Sequence, residues 1–458
     1  MATKALIRQD FTEGKLLKKM FFFAIPMILS TLLQLLFNAA DVAVVGKFAG
    51  TVYQSAVGAT SSTIHLLVNL LMGISIGANV AMATAYGAKD LEKQERIVHT
   101  SMALAIVGGV TIMFVGVFVA RPVMIMLKTP SDVLPYAVLY MQIYFLGAPA
   151  NIVYNFGASI FRAVGETKKP LLYLFVSGII NVVINVITVV FFNMHVVGVA
   201  VGTIVSQYVA AVWVVADLMK ETGGAKYTLK KTKFHKKELL KILFLGVPTG
   251  ISSCCFSLSN LLIQSTINSY GSVVMAGNTI AVNIDGFIDS FGASYGRTTI
   301  TVIGQNIGAK KPERMRKIIG AGMLLCVLSD LTCALFMLLF GEWIYGLYNS
   351  DIDVISVALT RMTYTSVLYS LVALLEIFGS ALRGMGYSMT PMFVNLICTC
   401  LFRVVWILGF YPLNPCYEMV LLSYPISWIL SGLVQTALYF LFESKFMQKF
   451  QTAENENG

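Results

Sequence analysis

The sequence predicts an all-α integral membrane protein: about twelve transmembrane helices in two six-helix lobes related by a pseudo-two-fold internal repeat. Three observations lead there. The chain is 57% hydrophobic and only 12% charged over 458 residues, with a mean hydropathy of +0.76, against about 25% charged residues in a soluble domain. Apolar stretches of about 20 residues or more, long enough to span a bilayer, recur from Met20 to Phe442. Finally, the second half of the chain repeats punctuating motifs of the first.

Taken in order, the expected spans are 20–45, 55–85, 97–120, 132–160, 170–192 and 196–219, then 241–268, 275–306, 317–340, 353–381, 390–410 and 419–442. Their apolar runs are continuous rather than alternating, which fits helices and not a barrel. The first run is too long for a signal peptide and lacks a small-residue cleavage site, so it is expected to be the first span. Several spans are long enough to require tilt or protrusion into water.

The net charge of +10 invites a nucleic-acid partner, but its distribution excludes one. Lys and Arg fall at Lys4, Arg8, Lys15, Lys18 and Lys19, and then in every second loop. Those loops hold Lys89, Lys93 and Arg96; Arg162, Lys168 and Lys169; the cluster over 220–241; Lys310 to Lys317; and Arg383. The alternate loops hold little beyond Lys47, Arg121 and Lys128. This is the positive-inside pattern, and it places both termini in the cytoplasm of a multi-pass protein of the cell membrane. The seven cysteines (Cys254, Cys255, Cys326, Cys333, Cys398, Cys400 and Cys416) contain no CxxC pair and read as buried filler. His65, His99, His195 and His235 are too scattered for a metal site.

The repeat is visible when the chain is slid on itself by about 221 residues, the mark of a duplicated transporter half. "YGAKDLEKQERIV" from Tyr86 falls on "IGAKKPERMRKII" from Ile307, and "SIFRAVGETKKP" from Ser159 falls on "SALRGMGYSMTP" from Ser380. One residue further along, Pro26 meets Pro248 and Asn38 meets Asn260. The expected division is therefore an N-terminal lobe over 1–219, a basic cytoplasmic linker over 220–241 and a C-terminal lobe over 242–458. An even number of spans per lobe gives both the same orientation, related by an axis along the membrane normal. Two readings of the linker stand: an amphipathic segment on the anionic inner leaflet, or a solvated tether.

Two like lobes form a transporter architecture, able to rock about a site between them. No GxxxxGK[ST] motif is present, so ATP hydrolysis by this chain is not expected to drive it and an ion gradient is. No HExxH or Ser–Lys cluster at matched depth supports an intramembrane enzyme.

Candidate ligands for that ion lie on polar stripes. On a helix, Ser30, Gln34, Asn38 and Asp41 form one line, with Pro26 below it permitting a bend. Ser177, Asn181, Asn185 and Thr188 repeat the spacing in the fifth span, and Thr203 and Gln207 stand one turn apart in the sixth. Polar stripes often only join helices by hydrogen bonds. Asp41 argues further, since a carboxylate at the centre of a membrane helix costs roughly 2.5–3.5 kcal/mol and usually marks an ion path. Convergence of the three stripes would supply carboxylate, amide and hydroxyl oxygens suited to Na⁺, or a buried proton site.

In the second half Asp41 falls on Ile263, while Asn260, Gln264 and Asn268 keep amides. Asp285 and Asp289 stand one turn apart, Glu376 lies in the tenth span, and Arg297 and Arg403 provide charges that would neutralise Asp289 in a structural pair.

On these features the sequence resembles the multidrug and toxic-compound extrusion (MATE) family, bacterial type. The resemblance covers about residues 15–445 and is carried by the duplicated six-span layout, Pro26 with "DVAVVG" at Asp41, both Gly-Ala-Lys loops and "FRAVGETKKP". It implies a secondary antiporter, with no cofactor, that exports amphipathic, often cationic small molecules in exchange for Na⁺ or H⁺ by alternating access. It implies a cation or proton site at Asp41, Asn181, Asn185 and Thr203, supported by Gln34, Asn38 and Gln207; some members carry Asp where this chain has Asn185. Candidates in the C-lobe are Asn260, Gln264, Asp285, Asp289 and Glu376, the last because the family's second acidic site uses acids in spans seven and ten. A monomer surrounded by membrane lipid is expected. The alternative within the superfamily is a lipid-linked oligosaccharide flippase, which would want a broad cationic groove; Arg297, Arg361 and Arg403 are its few candidate cations.

Overall fold

The computed structural model describes residues 9–127 and 129–455, all helical or in turns, with no strand among them. Lys4, Arg8 and Lys128 of the charge pattern lie outside the described residues. The first half of the sequence runs through α1 (Leu16–Phe48), α2 (Thr51–Gly87), α3 (Leu91–Met126), α4 (Leu134–Leu146), α5 (Ala148–Ala163), α6 (Lys168–Val186) and α7 (His195–Lys220). The second contains α8 (Lys236–Asn268), α9 (Ser272–Gly308), α10 (Met315–Gly346), α11 (Ile352–Tyr364), α12 (Val372–Gly384), α13 (Met389–Val394), α14 (Phe402–Val405) and α15 (Tyr417–Asn455).

Among the described residues ten spans are long and apolar enough to cross a membrane, and α4 with α5, bent by 46°, makes an eleventh. The remaining expected span, the eighth, is α9, 37 residues long. It is a helix of spanning length whose Asp285, Asp289 and Arg297 dilute its hydropathy. The fourth expected span is broken because Gly147 is followed by Pro149, and proline cannot continue the donor ladder of the preceding turn. Leucines and phenylalanines such as Leu335, Phe336, Leu338 and Leu339 of α10 stay exposed, as expected of a face that meets lipid.

The backbone repeats as the sequence does. Left-handed conformations occur at Gly50, Lys89 and Gly165, and again at Gly271, Lys310 and Gly386, the same spacing each time. Gly50 and Gly271 open α2 and α9; Lys89 and Lys310 follow the two Gly-Ala turns that end these helices.

By packing, the chain divides into two compact units: residues up to Asp10 together with Ile25–Gly250, and Phe11–Ala24 together with Ile251 onward. Both α1 and α8 therefore change unit close to their internal prolines, Pro26 and Pro248. In the first unit, small residues let helices approach closely: Gly109 lies against Pro149, Gly178 against the Phe37 ring and Gly198 against Thr188. In the second, α9 packs on α10, α11 and α12, and α12 packs on α15. A hook before α1 docks there: buried Phe11 stacks edge-on against Phe23 at 5.0 Å, and its backbone is held by the Gln305 and Asn306 side chains.

Within the linker, residues 223–235 form a strap with two short helical turns folded on α3, with Leu229 and Phe234 exposed. Tyr227 is 1% exposed, the Thr228 N–H donates to His99 Nε2 at 3.1 Å, and the His235 N–H donates to Thr100 Oγ1 at 3.1 Å. Lys231 pairs with Glu95 at 2.8 Å.

Candidate cation site in the first half

Asp41 sits seven residues before the end of α1, 8% exposed. Its surroundings come from α6 and α7, which lie side by side because glycines face their contact. Gly202 is the closest: a Cβ there would strike Asn185 Oδ1. The Asn185 amide donates to Asp41 Oδ1 at 2.5 Å, and the Thr203 hydroxyl lies 3.4 Å from Oδ2 while also donating to the Val199 carbonyl at 2.9 Å. With its amide nitrogen turned to the carboxylate, Asn181 donates to Asp41 Oδ1 at 2.9 Å and accepts from the Thr203 N–H at 3.2 Å.

The carboxylate is thus ringed by neutral donors, with no Lys or Arg paired to it among the described residues. Asn185 Oδ1 is buried without a partner. A buried acceptor left unpaired is costly, and together with the carboxylate it presents the hard oxygens that Na⁺ takes. A proton on the carboxylate would instead satisfy an acceptor. Such a set of oxygens is chemically able to take either a small cation or a proton.

Four of the residues expected to converge therefore do so: Asp41, Asn181, Asn185 and Thr203. The supporting line does not join them. Ser30 donates to the Pro26 carbonyl of its own helix at 2.7 Å. Gln34 is half-buried and Asn38 exposed, and neither has a side-chain hydrogen bond to the site. Gln207 buries its Oε1 without a partner beside Tyr144. Tyr140 and Tyr144, one turn apart on α4, stand near enough to Asp41 to feel its charge. Sequence reasoning missed both, because tyrosines in an apolar span carry no periodic signal of their own.

The C-lobe candidates scatter among different partners. Asp285 forms a buried ion pair with Arg361 at 3.1 Å and also accepts from Thr365 and Ser366. Arg361 donates as well to Asn278 at 2.9 Å. Of the two bases expected to neutralise Asp289, Arg297 lies near enough to act on its charge, whereas Arg403 meets no carboxylate among the described residues; the buried ion pair is Asp285 with Arg361, because α9 packs on α11. Asp289 accepts from the Tyr369 hydroxyl at 3.2 Å and is exposed. Glu376 is half-buried against Gly296 of α9. Gln264 bonds Asn268 and Asn278, and Asn260 accepts from Arg403 at 3.0 Å. Asp330, on α10 and 1% exposed, escaped notice as a lone acid in an apolar run. Its Oδ1 lacks a partner and its Oδ2 faces the Cys326 thiol.

Comparison with known proteins places this geometry. The MatE family model matches residues 26–187 and again residues 248–407, the two copies seen in the backbone. The probable multidrug resistance protein YpnP of Bacillus subtilis (strain 168) is 25% identical over 390 residues, 85% of this chain and 87% of its own length. The multidrug export protein MepA of Staphylococcus aureus (strain MSSA476) is 24% identical over 388 residues, 83% of this chain and 82% of its own. Among solved structures, a MATE protein in complex with MaL6 superposes with a TM-score of 0.89 over 96% of this chain and 98% of that one, at 20% identity. An outward-facing multidrug resistance MATE transporter superposes with a TM-score of 0.87 over 98% and 100%, also at 20% identity. The chain belongs to the MatE family, the multidrug and toxic-compound extrusion transporters, and is a multi-pass membrane transporter and not an enzyme.

Proposed function

We propose that this chain is an antiporter of the cell membrane, with both termini cytoplasmic, that exports amphipathic or cationic compounds in exchange for Na⁺ or H⁺. The observation that carries the reading is Asp41: a buried carboxylate inside a membrane helix, held by neutral donors from two other helices, with an unpaired amide oxygen next to it. Asp41, Asn181, Asn185 and Thr203 form the cation site. Cation arrival changes which of the Asp41 lone pairs remain to hold Asn185 and Asn181, so loading alters the contact of α1 with α6 and α7. That local change is the physical link to alternating access of an N-terminal lobe, 1–219, and a C-terminal lobe, 242–458, joined by the linker 220–241. One elementary charge crossing the membrane supplies about 2.3 kcal/mol per 100 mV, enough for a modest uphill gradient of substrate. Relatives named as multidrug exporters favour export of small molecules over lipid flipping. The protein works as a monomer in lipid.

The test is efflux of a fluorescent organic cation from vesicles driven separately by a Na⁺ gradient and by a pH gradient. Wild type is expected to respond to one or both. Asp41→Asn, inserted at normal levels, is expected to lose the response. Unimpaired gradient-driven efflux by that variant would remove Asp41 from the coupling step.

A further inference from the structure

Among the described residues Arg403 is the largest fully buried side chain, 0% exposed, and no carboxylate there pairs with it. Its Nε–H donates to Ser427 Oγ at 3.1 Å and its Nη1 donates to Asn260 Oδ1 at 3.0 Å. Its Nη2, with two hydrogens to give, has no partner. The guanidinium lies over the Tyr424 ring at 4.5 Å and over Phe256 at 5.3 Å. A guanidinium keeps its charge under all physiological conditions. An uncompensated buried charge is strongly destabilising, and aromatic faces offset only a part of that.

The neighbouring arginine is the internal control. Arg361 stacks on the same Tyr424 ring at 4.9 Å, but it has Asp285 at 3.1 Å as a counter-charge. One ring thus separates two guanidiniums, of which the chain neutralises one and leaves the other open. The repeat adds a second observation. In the register of the adjacent turns, which sets Gly386 on Gly165, Arg403 falls on Val182. A place that is apolar in the first copy holds a fixed cation in the second. Helical punctuation around it is irregular, with π-type turns at Asn395–Leu401 and Trp406–Phe410 on either side; such turns recur at functional positions.

We propose that Arg403 is the centre of an anion subsite that binds the carboxylate of an amphipathic organic anion or zwitterion, with the ligand's apolar body against Phe256 and Tyr424. The planar fork of Nη1 and Nη2 matches a carboxylate in bidentate geometry, and Nη2 is the half that nothing in the chain occupies. Phe256, whose ring lies 5.3 Å from the guanidinium, is itself 39% exposed. Calling this ligand a substrate rests on the antiporter reading; its binding does not.

The experiment is equilibrium binding to the purified full-length protein in detergent, by calorimetry against empty micelles, with naphthoate and its uncharged isostere naphthamide. The wild type is expected to prefer naphthoate by about tenfold or more, the usual margin of a charge-assisted bidentate pair over a neutral one. Arg403→Gln is expected to erase the preference. Asn260→Asp sets a carboxylate beside Nη1 and supplies the missing counter-charge; it is expected to fold with a raised melting temperature and also to lose the preference. Equal binding of acid and amide by wild type would overturn the proposal, as would a preference that survives in Arg403→Gln. Should that variant fail to fold, survival of the preference in Asn260→Asp overturns it instead. No gradient is applied, so a failure of coupled efflux in vesicles leaves this readout intact and the two ideas fall separately.

Discussion

At position 202 the space a Cβ would take is filled by the amide oxygen of Asn185. Gly202→Ala is therefore expected to push Asn185 away from Asp41, costing about 1–3 kcal/mol by overpacking. Coupled efflux should be lost while helix content stays native by circular dichroism. The Asp285–Arg361 pair makes the opposite kind of demand, since both groups are buried and each is the other's compensation. Arg361→Ala should lower stability by about 3–5 kcal/mol, the cost of stranding a buried charge, and a thermal melt in detergent checks it. How much of these sites the sequence disclosed follows from the range of the contacts. Asn181 and Asn185 declare themselves by helical spacing, and Asp41 by its cost in lipid. Asp285 with Arg361 spans two helices, and no periodicity within either helix reports which acid meets which base. Gln34 and Asn38 share the spacing of Asp41 and still miss the site: a stripe predicts a face and not which part of that face is covered.

At the scale of elements, the linker shows what a charge run conceals. The same lysines that suggest a surface segment belong to a strap whose backbone is tied to His99 and Thr100 and whose Tyr227 is buried. Burial, with Lys233 adding to it, pushes the His235 imidazole below its ordinary pKa of 6.5. A histidine depressed in the folded form takes up protons more readily once the strap is loosened. The docked state is then favoured above the ordinary value and loses ground as pH falls through about 6.5. Hydrogen exchange over residues 223–235, corrected for intrinsic rates, is expected to speed up between pH 7.5 and 5.5, both chosen about one unit either side of that value. His235→Asn should flatten the dependence, and Tyr227→Ala should raise exchange at both values. The helix breaks are partly legible for a local reason. Pro149 marks the α4–α5 bend in the sequence, whereas the π-type turns at Ile187–Phe191 and Asn395–Leu401 carry no composition that distinguishes them from ordinary helix.

At the scale of the whole molecule, duplication sets a common frame and leaves the chemistry of each half free to differ. The left-handed residues that close and open helices recur at one spacing, since turn geometry admits few residue types. Side chains within the spans answer only to local packing, so Asp41 has Ile263 as its counterpart and Val182 has Arg403. In the proposed topology a like-oriented repeat puts both termini on one side, which the positive-inside pattern makes the cytoplasmic one. That orientation is open to a direct check: proteolysis of a C-terminal tag in sealed vesicles. The tag is expected to be cut in inside-out vesicles and protected in right-side-out ones. A cysteine placed at Asp132, in the α3–α4 connection, should show the reverse pattern toward an impermeant maleimide once the seven native cysteines are replaced. Protection of both probes on the same side would break the even-span reading of the lobe, because an odd number of crossings would then separate position 132 from the tag's side no longer.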